Sequence, residues 1–174
     1  MRLLKEKKII DSTYNVDIFS IVFSSGFFVG YIPFASGTFG SLFALLFFFI
    51  PGFSEVLVLS ITIILVFIVS IFTLEKMVKR YGDDPSVVVV DEIIGMWITI
   101  LLLKICLPGN LAITPTALTL GFLLFRFFDI TKLFPANYFD KLKSGFGIIM
   151  DDIISGLYAG IISSLIVFLI KKYF

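Results

Sequence analysis

Five carboxylates stand beside or inside apolar runs: Asp91 and Glu92 ahead of Ile93-Ile94-Gly95-Met96-Trp97, Asp129 after Phe127-Phe128, and Asp151-Asp152 between Met150 and Ile153. An uncompensated buried carboxylate costs several kcal/mol, so each must meet a cation, hydrogen-bond donors or water. Few cations are near them in the chain, chiefly Arg126, Lys132, Lys141 and Lys143. A carboxylate cluster with so little positive charge around it suits a divalent metal. With no histidine and a single cysteine, Cys106, the ligands would all be oxygen, which favours Mg2+ or Mn2+ over Zn2+. The same lack of histidine removes the Ser-His-Asp triad and the phosphohistidine intermediate, so any chemistry falls to carboxylates. Cys106 reads as a small buried hydrophobe rather than a nucleophile, because only Lys104 stands near it to lower its pKa.

Each acid also has a purely structural reading. Asp91-Glu92 and Asp151-Asp152 could be acids at helix starts, worth about 0.3–1 kcal/mol each. Arg126 and Asp129 are three apart, hence on one helical face, and could form a plain ion pair. A second feature is the small-residue loop from Gly30 to Ser41, which contains Pro33, Gly37, Thr38 and Gly40. Its backbone N–H groups with the Thr38 and Ser41 hydroxyls could hold an anionic oxygen at a helix N-terminus, or its glycines could serve only tight helix packing. A third small-residue stretch, Ser144-Gly145-Phe146-Gly147, lies just before Asp151 and would let backbone approach the same pocket, unless it is an ordinary turn.

The elements that must position these groups belong to a membrane. Of 174 residues 59% are apolar, 22 of them phenylalanine, and only 16% are charged; the mean hydropathy of +1.08 exceeds that of soluble domains. The net charge of +1 gives no bulk attraction to nucleic acid. We expect one all-α domain over residues 1–174, a polytopic integral-membrane bundle of about four to six spans with short and re-entrant helices.

Along the chain, residues 1–17 are polar and basic, with no cleavable signal peptide. Ile18–Ile32 reads as an amphipathic or re-entrant helix, Phe39–Ile50 and Val56–Leu74 as a hairpin about Pro51-Gly52, and Glu75–Ser86 as a polar connection. A helix entered at Ser86 closes at Pro108-Gly109-Asn110, a second runs over Ala117–Phe128, Asp129–Lys143 forms a loop, and a last helix covers about Ile148–Ile170. The basic segments Met1–Lys8, Lys76–Arg80 and Arg126–Lys143 then share one face, the cytoplasmic one, although Lys171 and Lys172 fall opposite. The five acids lie on that same face. Trp97 and the phenylalanines read as lipid-facing filler or interfacial anchors.

Four stretches resemble the bacterial phosphatidylglycerophosphatase A family: Pro33-Phe-Ala-Ser-Gly-Thr-Phe-Gly-Ser41, Asp91-Glu-Ile-Ile-Gly-Met-Trp-Ile-Thr99, Phe125-Arg-Phe-Phe-Asp-Ile-Thr-Lys132 and Gly145-Phe-Gly-Ile-Ile-Met-Asp-Asp-Ile-Ile-Ser-Gly156. They occur in the family's order over most of the chain. Ser36, Leu133, Ala136 and Ser155 depart from its pattern, but none of these changes removes a charge. The resemblance implies Mg2+-dependent hydrolysis of phosphatidylglycerol phosphate to phosphatidylglycerol and inorganic phosphate at the cytoplasmic face of the bacterial inner membrane. Mg2+ would be held by some of Asp91, Glu92, Asp129, Asp151 and Asp152, with a remaining carboxylate as base. Arg126 and Lys132 would clamp the phosphate, and Thr38 and Ser41 would complete the anion site. The alternative from another class is a small transporter, which also uses intramembrane carboxylates but near the midplane. A CDP-alcohol phosphatidyltransferase ranks behind both, since its spaced Asp-Gly…Asp signature is missing.

Overall fold

A computed structural model describes residues 13–83, 85–107, 109 and 113–173. The basic N-terminal residues through Lys8, and Pro108 and Asn110 of the expected helix closure, lie outside the described residues. All regular structure among the described residues is helical. In chain order the helices are α1 (Ile18–Ser24), α2 (Ser36–Leu46), α3 (Val56–Tyr81), α4 (Val90–Cys106), α5 (Pro115–Thr131), α6 (Ala136–Asp140) and α7 (Gly145–Tyr173), with 3-10 turns at Val29–Tyr31 and Phe47–Phe49.

Local chemistry explains most boundaries. Asp17 caps α1 by accepting the Ser20 N–H at 2.9 Å. The apolar run after α1 is not one helix, because Gly26, Phe27 and Phe28 all take positive φ and turn the chain back. The polar segment expected as a connection after Leu74 is instead helical to Tyr81: its residues are good helix formers, Lys79 and Arg80 complement the dipole in the last turn, and Gly82 at φ +84° ends it. Helix α4 begins four residues later than expected, at Val90: Val89 lies outside helical geometry at φ −143°, with its N–H on Ser24 O at 2.9 Å. Thr114 caps α5 and Pro115 opens it, and the helix carries past Phe128 to Thr131, so Asp129 is helical rather than in a loop. The expected Asp129–Lys143 loop also contains α6. Ser144 Oγ accepts the Gly147 N–H, which starts α7 at Gly145.

Between its charged first turn and Lys104, helix α4 is apolar on nearly every side, and eleven of its 17 residues are buried, which makes it the centre of the bundle. Its most extensive partner is α7, which also receives α3, α5 and α6. The two backbones meet at glycines: a Cβ at Gly156 would lie 2.3 Å from Gly95 O, and one at Gly95 would lie 2.7 Å from Asp152 O. Thr99 Oγ1 sits over this crossing, donating to Gly95 O at 3.0 Å or to Gly156 O at 3.2 Å. Gly145 makes a similar approach to the backbone of α3, so the small residues before Asp151 serve the docking of α7 on α3.

Trp97 is not lipid-facing. It is 3% exposed, its indole N–H donates to Ala44 O at 3.0 Å, and its ring meets those of Phe47 and Phe53. Ala44 O is a last-turn carbonyl of α2, and by accepting this bond it satisfies the buried indole N–H. Cys106 is exposed rather than buried, because Leu103 and Leu107 take the inward side of the final turn of α4.

Helices α3 and α7 are long and apolar enough to cross a membrane. By contrast, α4 and α5 have 17 residues each, which at 1.5 Å per residue reach ~26 Å of a ~30 Å hydrocarbon core. Leu57, Ile64, Leu65 and Phe72 all project from α3 into the surroundings. An outer face this apolar belongs in lipid, and the protein is membrane-associated. Gly156→Ala should separate α4 from α7 and destabilise the protein by about 1–3 kcal/mol. Gly121→Ala, which meets only side-chain atoms at 3.2 and 3.3 Å, should be tolerated. Thermal unfolding in detergent measures both.

Candidate active site

The α4–α7 crossing decides where the acids fall. Asp91 lies one turn before Gly95 on α4, and Asp152 lies one turn before Gly156 on α7. With the glycines in contact, the two carboxylates converge at the same end of the crossing, and Glu92 joins them. Single oxygens of Asp91, Glu92 and Asp152 all lie within 4.8 Å of one another. They form one wall of a cleft of about 820 Å3, also lined by the start of α2, the end of α5, α6 and the first turns of α7.

Asp129 and Asp151 line the same cleft but stand differently. Asp129 Oδ2 pairs with Arg126 Nη1 at 2.7 Å, the i,i+3 pair that the spacing suggests. Asp151 Oδ2 pairs with Lys132 Nζ at 2.6 Å. Of the five acids expected as metal ligands, three are therefore grouped, and two are each committed to a cation. Lys132 also reaches Asp140, an acid the sequence reading did not single out. Burial alone would lower the Lys132 pKa, but Asp151 and Asp140 outweigh it and move it well above the usual lysine range, so the ammonium stays charged.

The small-residue loop forms part of the cleft wall. Ser36 and Gly37 line the cleft, whereas Thr38 and Ser41 do not. Helix α2 starts at Ser36, so Ser41 falls more than a turn inside it, where its hydroxyl donates to Gly37 O at 2.8 Å and meets Arg126 Nη1 at 3.4 Å. Ser41 thus contacts Arg126 and does not itself line the cleft. Gly37 is required because a Cβ there would lie 2.2 Å from Glu92 Oε1 and 3.0 Å from Arg126 Nη1. Tyr31 was also missed: it lines the cleft, and burial together with the Tyr81 hydroxyl pushes its pKa up to about 12, so it stays a neutral phenol. Among the lining residues the carboxylates outnumber Arg126, Lys132 and Lys143, so the cleft carries a surplus of negative charge. Glu92 Oε2 is buried with no hydrogen-bond partner among the described residues. An orphaned carboxylate oxygen within an all-oxygen acid group fits a hard divalent cation.

The chain is similar to known proteins over most of its length. The phosphatidylglycerophosphatase A family profile matches residues 22–167. A phosphatidylglycerophosphatase A of Escherichia coli is 34% identical over 140 residues, covering 79% of this chain and 77% of that protein. Its Haemophilus influenzae counterpart is 35% identical over 144 residues, covering 79% and 82%. A Bacteroides thetaiotaomicron protein named as a putative phosphatidylinositol-3-phosphatase is 33% identical over 147 residues, covering 82% and 89%. No solved structure matches the chain. With a family match that spans the acid cleft and relatives that align over most of their own length, the chain belongs to the phosphatidylglycerophosphatase A family and is a lipid phosphatase.

Proposed function

We propose that the protein hydrolyses the terminal phosphomonoester of phosphatidylglycerol phosphate, releasing phosphatidylglycerol and inorganic phosphate, in an Mg2+-dependent reaction. The observation that carries this reading is the grouping of Asp91, Glu92 and Asp152 within 4.8 Å in a cleft that also holds Arg126. The two relatives named for this activity support the headgroup. The proposed setting is a multi-pass protein of the bacterial cytoplasmic membrane with its cleft toward the cytoplasm, where the basic residues Lys76, Lys79 and Arg80 end α3.

Asp91, Glu92 and Asp152 would hold the metal. When bound, Mg2+ supplies charge neutralisation at phosphate oxygens and acidifies water. Arg126 binds phosphate oxygens with guanidinium donors not engaged by Asp129, and Asp129 and Ser41 both hold it at Nη1. Asp129 meets Arg126 through Oδ2, which leaves Oδ1 to accept the proton of the attacking water. The water oxygen forms the new bond to phosphorus as the ester P–O bond breaks, and the proton taken up by Asp129 passes to the departing glycerol oxygen to give the lipid alcohol. The phosphate carries the remaining charge away. Lys132 adds a point charge from beside Asp151.

The transporter alternative requires carboxylates distributed near the membrane midplane, and the convergence of three at one end of a helix crossing favours hydrolysis instead. A second headgroup has one specific support, the relative named as a putative phosphatidylinositol-3-phosphatase. Both names describe a phosphomonoester on a lipid, and the same acid cleft would serve either.

Purified protein in detergent should release inorganic phosphate from phosphatidylglycerol phosphate with Mg2+ and cease to do so in EDTA. Faster release from phosphatidylinositol 3-phosphate would reassign the headgroup, and no release from either lipid would sink the proposal. Asp91→Asn and Asp152→Asn should each lower kcat by about a hundredfold or more while leaving the unfolding midpoint within a few degrees of the parent. Full turnover in either variant removes that residue from the site.

A further inference from the structure

We propose that Asp140 is a positioning residue for this reaction, one that acts by pinning the Lys132 ammonium beside Asp151, where the cleft's phosphate can reach it. The inference rests on the reading of the cleft as a phosphate site. Lys132 ends α5 in the left-handed region at φ +46°, with its N–H bonded to Phe128 O at 2.8 Å. From that fixed backbone its side chain reaches two carboxylates on two later helices, Asp140 of α6 and Asp151 of α7. They are unequal partners: the Asp151 side chain is 7% exposed, and that of Asp140 is 40% exposed.

An ammonium on a flexible four-carbon stem held by one carboxylate still swings about that contact. A second carboxylate removes the swing. The group has three N–H donors, and two carboxylates account for two of them, so one remains for a phosphate oxygen. Helix α6 is placed to do this. Its first residue, Ala136, is buried with its N–H on Leu133 O at 2.7 Å, and a Cβ at Gly147 of α7 would lie 2.6 Å from Phe139 O, so the short helix is seated against α7. Asp140 lines the cleft but is not one of the three acids grouped for a metal. Its ion pair is with Lys132, and its contribution is made through that ammonium.

The test is a double-mutant cycle on the full chain in detergent with Mg2+, reading the Kd for inorganic phosphate by calorimetry beside kcat and KM for lipid phosphate. Asp140→Asn should weaken phosphate binding and raise KM by about tenfold, with kcat changed less than about threefold and the unfolding midpoint retained. Asp140→Glu should restore most of the loss. Lys132→Met should weaken phosphate binding at least as much, and adding Asp140→Asn to it should cost nothing more. An Asp140→Asn penalty of equal size in the Lys132→Met background overturns the proposal, as does unchanged affinity in Asp140→Asn or no phosphate binding by the parent. A non-additive cycle in phosphate binding without lipid phosphate hydrolysis keeps the positioning role and defeats the phosphatase substrate assignment instead.

Discussion

The contact between Gly95 and Gly156 is the constraint on which the rest of the molecule depends. Two helices whose backbones approach this closely have no room for a side chain between them, and the hydroxyl of Thr99 bridges the carbonyls at the crossing. In lipid, where apolar side chains gain little by meeting each other rather than acyl chains, such close backbone packing is what holds helices together. Gly160 extends the seam, with Leu102 Cβ 2.7 Å from where its own Cβ would be. The same crossing fixes the relative height of α4 and α7, and with it the meeting of Asp91 and Asp152 one turn away.

Charge is divided in the cleft into two kinds of partnership. Asp129 and Asp151 each have a cation within ion-pair distance. Asp91, Glu92 and Asp152 are held together instead, an arrangement that self-repulsion would oppose unless a cation or shared protons intervened. Separating the acids this way keeps the basic groups in place without neutralising the trio. Gly37 permits it, since a larger residue at that position would push Glu92 and Arg126 apart. The α2 N-terminus is thereby a wall of the cleft by virtue of what it lacks.

The membrane imposes the other division. Helix α3 presents an apolar outer face along most of its length and then becomes polar over its last turns, where Lys76 pairs with Asp17 at 2.5 Å and Arg80 donates to Tyr14 O at 2.9 Å. These contacts fasten α1 to the polar end of α3. Phe34 and Ile130 are exposed apolar side chains that line the cleft beside its charged wall. A cleft with both characters matches an amphiphile whose polar and apolar portions need opposite surroundings.

Composition and hydropathy determined the helical class and the membrane association, because a chain this apolar satisfies its backbone in lipid only by helices when closed barrels are not indicated. Residue type and spacing also marked the acids, Arg126 and Lys132, since charge inside apolar runs demands a partner whatever the fold. Helix ends were less legible: the polar stretch after Leu74 reads as a connection by composition, yet its residues favour helix and α3 continues to Tyr81. The burial of Trp97 was not legible either, because an indole suits an interface as well as a core, and only the seating of α2 on α4 supplied Ala44 O to its N–H. Which acids are grouped together, which are held by cations, and that Asp140 rather than Thr38 or Ser41 lines the cleft follow from tertiary structure alone. Those choices depend on the height at which α4 crosses α7 and on where α6 sits, distances between chain segments far apart in sequence that no local pattern encodes.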